Sequence, residues 1–229
     1  MSWYSIALFG VWPYIALTMF VVGNIWRWRT DQFGWTTRTS ELSEKKMLMW
    51  ASPIFHVGML MVLVGHLLGL VIPEGWMTSI GISEHAYHLV AVILGTIAGL
   101  VFTLGVVLLI LRRFILGTRL RLVTRRGDIV MYVLLALIIV IGMSATIGYN
   151  VFGPGYDYRA TIGVWLRSIF MAKPAISVMA SAPWIYQLHA ALALGLFAVW
   201  PFSRLVHMFS VPVGYLTRPP IVYRQAARP

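Results

Sequence analysis

Cysteine is absent from this 229-residue chain. That excludes disulfides, covalent haem attachment through C-x-x-C-H and any cysteine-ligated iron–sulfur cluster within it. Charge is also scarce, at 11% of residues against 59% hydrophobic, and only seven residues are Asp or Glu. A water-soluble domain of this length could not cover so much apolar surface with so few charges. No stretch is long and polar enough for a separate soluble domain, and no internal repeat stands out. MSWYSIALFGVWPY lacks the basic n-region and small-residue cleavage site of a signal peptide, so a retained first helix is expected.

What the chain has in abundance is apolar runs of about 20 residues, the length that crosses a hydrocarbon core as helix. The expectation is an all-α integral membrane protein, one domain over 1–229. Its five helices fall at about 5–25, 49–72, 86–111, 129–148 and 184–209, followed by a polar, Pro-rich tail at 212–229. The net charge of +11 follows these boundaries and does not form a nucleic-acid surface. Fifteen Lys and Arg fall in the two loops after the first and third runs and at the C-terminal end. Only Arg159, Arg167 and Lys173 fall on the other side. Positive-inside distribution puts the N-terminus outside and the C-terminus in the cytoplasm of a cell membrane, consistent with an odd number of spans. Within the outer loop before the fifth run, GVWLRSIFMAKP reads as an amphipathic segment along the interface, anchored by Trp165 and Arg167. Gly95-Thr-Ile-Ala-Gly99 is a GxxxG, expected to serve close helix packing.

The six histidines carry the functional signal. His56, His66, His189 and His207 lie in or at the end of the second and fifth runs, where an ionisable side chain is expensive and points to function. The two helices run in opposite directions. His56 and His207 therefore lie toward the cytoplasm, and His66 and His189 toward the exterior. Such cross-helix pairs at two depths suit two stacked haems with paired axial imidazoles. A mononuclear zinc or copper site would instead gather three or four ligands in one place. Without cysteine, the haems would be noncovalent b haems. Arg112 and Arg204 are placed to meet the carboxylates of the inner one. One point resists alignment: His56 and His66 are separated by about 15 Å of helix, His189 and His207 by about 27 Å. Pro201 lies within the longer interval and can kink it.

WPYIA, ASPIFHVGMLMVLVGHLLG and PFSRLVHMFSVPVGYLTR, within a similarity covering nearly the whole chain, resemble the membrane cytochrome b (gamma) subunit of respiratory nitrate reductase. The resemblance implies that His56 and His207 hold a proximal haem b and that His66 and His189 hold a distal one. It implies oxidation of a membrane quinol, menaquinol by preference, near the distal haem. Electrons would leave to an iron–sulfur beta subunit and from there to a molybdenum-containing alpha subunit. Gly65 and His66 match the second-span part of the family's quinol site. The lysine often found near the start of the third span is replaced by EHAYH, where His85, Tyr87 and His88 are the candidates to contact quinol. Two other readings stay open: a cytochrome b serving a hydrogenase, formate dehydrogenase or sulfur-cycle complex, and a histidine-based proton-coupled transporter. The transporter would need a continuous polar path, and the first, third and fourth runs offer few polar residues.

Overall fold

The computed structural model describes residues 2–35, 44–116, 120, 122 and 124–210. The expected tail at 212–229 and part of the basic loops, including Arg38, Arg119 and Arg121, lie outside the described residues. Among those described, five helices are long and apolar enough to cross a membrane: Trp3–Thr30, Lys46–Val71, Glu84–Leu116, Arg126–Tyr149 and Trp184–Phe202. They are called the first to fifth spans below. A helix satisfies its own backbone polar groups, which is why it can face hydrocarbon. The surface agrees: Leu60, Val64, Leu94, Leu100 and Val140 all point outward. Starts are marked chemically. The Ser83 hydroxyl accepts the Ala86 N–H at the head of the third span, and Asp128 sits in the first turn of the fourth.

The second span packs along the third, and the fifth packs against both the first and the fourth. The second–third seam depends on glycine, though not on the GxxxG the sequence suggests. A Cβ at Gly58 would stand 2.5 Å from the Phe102 backbone nitrogen, and one at Gly105 would strike the Phe55 backbone. At Gly95 a Cβ would find only Thr146 at 3.9 Å, whereas at Gly99 it would strike Met143 of the fourth span. Phe55, Phe102, Val106, Met131, Tyr132, Leu135 and Leu205 form a buried cluster toward the basic end, where the arginine-rich loops lie.

A second cluster includes Phe9, Ile162, Trp165, Ile169 and Met179. Here the expectation of an interfacial anchor is corrected. The helix Val164–Phe170 folds into the bundle, with Trp165 only 2% exposed and its indole N–H donating to the Phe9 carbonyl at 2.9 Å. Arg167 donates to the Leu70 carbonyl at 2.8 Å. An indole whose N–H finds a protein acceptor gains more from burial than from the interface.

The fifth span also ends earlier than the apolar run predicts. Its α-helix stops at Val199, a 3₁₀ turn spans Trp200–Phe202, Ser203 is extended, and a second 3₁₀ segment covers Arg204–Ser210. Pro201 removes a helical N–H, and the Arg27 guanidinium donates to the carbonyls of Pro201 and Ser203, the latter at 2.8 Å. Gly105→Leu should lower the thermal unfolding midpoint of the detergent-solubilised protein, by about 1–3 kcal/mol of overpacking or more. Gly95→Ala should leave the midpoint unchanged.

Candidate functional site

The four membrane histidines come together in the two crossed pairs. The His56 and His207 ring centroids are 6.0 Å apart with planes at 80°; those of His66 and His189 are 6.1 Å apart at 22°. The break after Val199 explains how both pairs form. From His189 to Val199 the helix rises about 15 Å, matching His56 to His66. The stretch from Trp200 to His207 therefore adds little further depth.

Three of these rings share one arrangement. Nδ1 lies 2.7 Å from the Ser52 carbonyl oxygen in His56, 2.8 Å from that of Val62 in His66, and 2.7 Å from that of Arg204 in His207. A carbonyl only accepts, so the neutral ring carries its hydrogen on Nδ1 and its lone pair on Nε2. Two imidazoles in that tautomer cannot hydrogen-bond to each other through Nε2, whereas a metal ion accepts both lone pairs. Histidine ligands are commonly oriented by such an Nδ1–H bond to a carbonyl. His189 is held differently. It presses against Gly142 of the fourth span, where a Cβ would lie 2.7 Å from its Cε1, and its Nδ1 is buried without a well-formed hydrogen bond.

The donor set could hold two haems, one at each pair. Imidazole rings about 6 Å apart leave room for one metal ion between them at metal–nitrogen distances of about 2 Å. The second and fifth spans, which carry His56, His66 and His189, make no extensive direct contact among the described residues. Nor do the described residues gather three or more His, Cys, Asp or Glu that could hold a metal ion. Each pair thus offers two ligands across a gap, as a planar macrocycle requires.

The segment bearing His207 is fastened by charge. Arg204 donates to both carboxylate oxygens of Asp128, at 3.2 and 2.8 Å, and Arg113, 4% exposed, stands 3.7 Å from the same carboxylate. Arg112, also buried, holds Glu44 at 2.7 Å. The Met47 N–H, outweighing desolvation and joined by Arg112, keeps the Glu44 carboxyl below the ordinary carboxylate range. Both arginines expected beside a haem thus have protein carboxylates as partners. Asp128 was not among the candidates, although it is the lone acid beside the arginine-rich run and so was visible as an oddity.

At the opposite end, Gly65 and His66 are exposed, and a Cβ at Gly65 would meet nothing within 4 Å. One turn further along, Gly69 is covered by Tyr158 and by the Tyr87 hydroxyl. His85 and His88 do not join Tyr87 there. They line a separate surface cavity of about 340 Å³ with Glu84, Pro154, Gly155, Tyr156 and Asp157.

The fold and this site define a multi-pass membrane helical bundle with two cross-span histidine pairs at separate depths. The family model described as nitrate reductase gamma subunit matches residues 5–226, and the chain belongs to that family. It is 44% identical over 218 residues to the nitrate reductase gamma chain of Bacillus subtilis (strain 168), covering 95% of this chain and 97% of that one. It is 32% identical over 220 residues to the respiratory nitrate reductase 1 gamma chain of Escherichia coli (strain K12), covering 95% and 96%. The nitrate reductase-like protein NarX of Mycobacterium tuberculosis (strain ATCC 25618 / H37Rv) is 51% identical over 213 residues. That match takes in 93% of this chain but 32% of NarX, so the chain spans about a third of that protein's length.

Two substitutions should separate the pairs. Asp128→Ala leaves two guanidinium groups without their carboxylate; it should cost about 3 kcal/mol, the low end for a broken buried pair because Arg204 is partly exposed. If each pair holds a haem, it should release the one at His56–His207 alone. Gly142→Leu, which drives a side chain into the His189 ring, should release the other. A pyridine haemochrome assay on each variant, alongside a thermal midpoint, checks both outcomes.

Proposed function

We propose that this chain is the quinol-oxidising dihaem cytochrome b subunit of a respiratory nitrate reductase. It would pass electrons from membrane quinol to an iron–sulfur beta subunit at the cytoplasmic face, which feeds a molybdenum-containing alpha subunit. The observation that carries this reading is the pair of 6 Å histidine juxtapositions at two depths. Membership of the nitrate reductase gamma subunit family supports the choice of complex. Nitrate chemistry would belong to a partner: the chain has no cysteine with which to hold an iron–sulfur cluster, and the described residues gather no set of three or more His, Cys, Asp or Glu.

When bound, haem b supplies one-electron redox centres at each histidine pair. The protein's own contribution is positional. Carbonyls of Ser52, Val62 and Arg204 fix three imidazoles in the ligating tautomer, and Gly142 admits the fourth. The Phe55–Phe102–Leu205 cluster keeps water away from the His56–His207 pair, and Asp128 holds the segment on which His207 rides. Arg112 and Arg204 would stand at that end as hydrogen-bond donors for haem carboxylates, their side chains held in place and their charge balanced by Glu44 and Asp128. At the other end, the opening beside Gly65 and His66 is where quinol would enter from lipid, with Tyr87 in reach of its headgroup and His85 and His88 on the aqueous side.

The assembled complex should hold two b haems on this chain, counted by pyridine haemochrome and a dithionite-reduced difference spectrum. A well-folded complex without haem would sink the proposal. His66→Ala should remove one haem and abolish quinol-driven nitrate reduction while dye-driven reduction by the same complex continues. Survival of the quinol-driven rate would show that electrons do not enter by this route.

A further inference from the structure

One buried cluster plays no part in holding the histidine pairs. Arg159, 2% exposed, donates through Nη1 to Glu84 at 3.0 Å, and its guanidinium carbon lies 3.9 Å from the centroid of the Tyr87 ring. Its Nε and Nη2 are buried with no hydrogen-bond partner. Buried unpaired donors on a cation are costly and call for an explanation. One side chain thus fixes two residues of the third span at once: the carboxylate that lines the surface cavity and the phenol that faces the bundle.

That phenol meets a second. A Cβ on Gly69 would stand 3.1 Å from the Tyr158 hydroxyl and 3.4 Å from that of Tyr87. The two hydroxyls therefore lie one turn beyond the exposed Gly65 and His66 on the second span. Burial, reinforced by Tyr87, pushes the Tyr158 hydroxyl above the ordinary phenol range, so it remains a neutral donor and acceptor. Along the third span, Glu84 lies one turn before Tyr87, and its carboxylate borders the cavity with His85, His88 and Asp157. The order in space is lipid-facing opening, hydroxyl pair, carboxylate and aqueous cavity.

We infer that Tyr87 and Tyr158 form the hydrogen-bonding end of the quinol site and that Glu84, positioned by Arg159, is its proton exit. The inference rests on the quinol-oxidising reading above. A quinol gives up two O–H protons and two electrons to become the quinone. The electrons would be taken up one at a time by the oxidised haems that the histidine pairs hold on that reading, and the protons would pass from the hydroxyl pair to the Glu84 carboxylate and then to water in the cavity. Arg159 does not exchange protons in this scheme. Its role is to hold the carboxylate and the phenol in register.

The test uses the assembled complex, a water-soluble naphthoquinol as donor, and the variants Tyr158→Phe, Glu84→Gln and Glu84→Asp. Haem count, reduced spectrum and dye-driven nitrate reduction are recorded for each. Tyr158→Phe should raise KM for the naphthoquinol by about fivefold to tenfold, the loss of one hydrogen bond, and lower kcat less than Glu84→Gln does, because the Tyr87 hydroxyl remains to pass the proton. Glu84→Gln should lower kcat by about 100-fold with KM nearly unchanged, and Glu84→Asp should recover much of it. Both haems should stay in place throughout. Unchanged KM and kcat in Tyr158→Phe and Glu84→Gln, or equal loss of haem in both, would overturn the inference and leave the cluster as a structural ion pair. If the unmodified complex holds no haem or does not oxidise the naphthoquinol, it is the dihaem reading itself that fails.

Discussion

Two antiparallel helices must bring four imidazoles together as two pairs at matched depths, and the rest of the structure follows from that demand. A straight fifth helix could satisfy one pair only, because eighteen residues of helix rise about 27 Å while the partners on the second span are about 15 Å apart. The break from Trp200 to Ser203 resolves the conflict. It ends the helix at the depth where His56 waits and lets His207 approach from a 3₁₀ segment. A broken backbone at a membrane end is tolerable only when its freed carbonyls find donors. Arg27 supplies them to Pro201 and Ser203.

Charges at that end work as fasteners before they work as anything else. Asp128 binds Arg204 with two hydrogen bonds and has Arg113 beside it, so the segment carrying His207 is tied to the start of the fourth span. Glu44 does the same for Arg112 at the junction of the second and third. Removing one partner from such a buried pair is costlier than never having had it. The geometry of one histidine pair thus depends on an acid located on another helix. At the opposite end, Arg159 ties Glu84 and Tyr87 to the loop before the fifth span, so both histidine pairs lie between fixed ends.

Glycine sets the distances in between. Gly58 and Gly105 allow the second and third spans to touch backbone to backbone, and Gly142 makes the space that the His189 ring fills. Close packing on that side contrasts with the gap between the second and fifth spans. That gap is bridged by imidazoles instead of by interlocking apolar side chains. Small residues at helix seams and a gap lined by histidines are complementary features: spans tightly packed on their other faces keep the second and fifth spans apart.

Hydropathy and charge by themselves determined the class, the five spans and their approximate ends, because crossing a membrane is decided by length and composition, which are local properties. The pairing of His56 with His207 and His66 with His189 was also legible, since chain direction alone fixes which end of each helix meets which. Other features were not. The sequence overextended the fifth helix to residue 209 and placed Trp165 at the lipid interface, and of its GxxxG only Gly99 packs closely, against Met143 of the fourth span. Asp128, Gly142 and Tyr158 were not singled out, and Arg159 was read only for its side of the membrane. Each of these depends on which side chain of a distant span stands opposite: Phe9 for Trp165, Phe55 for Gly105, Arg204 for Asp128, Glu84 for Arg159. Such contacts are properties of the packed bundle, and only tertiary structure decides them.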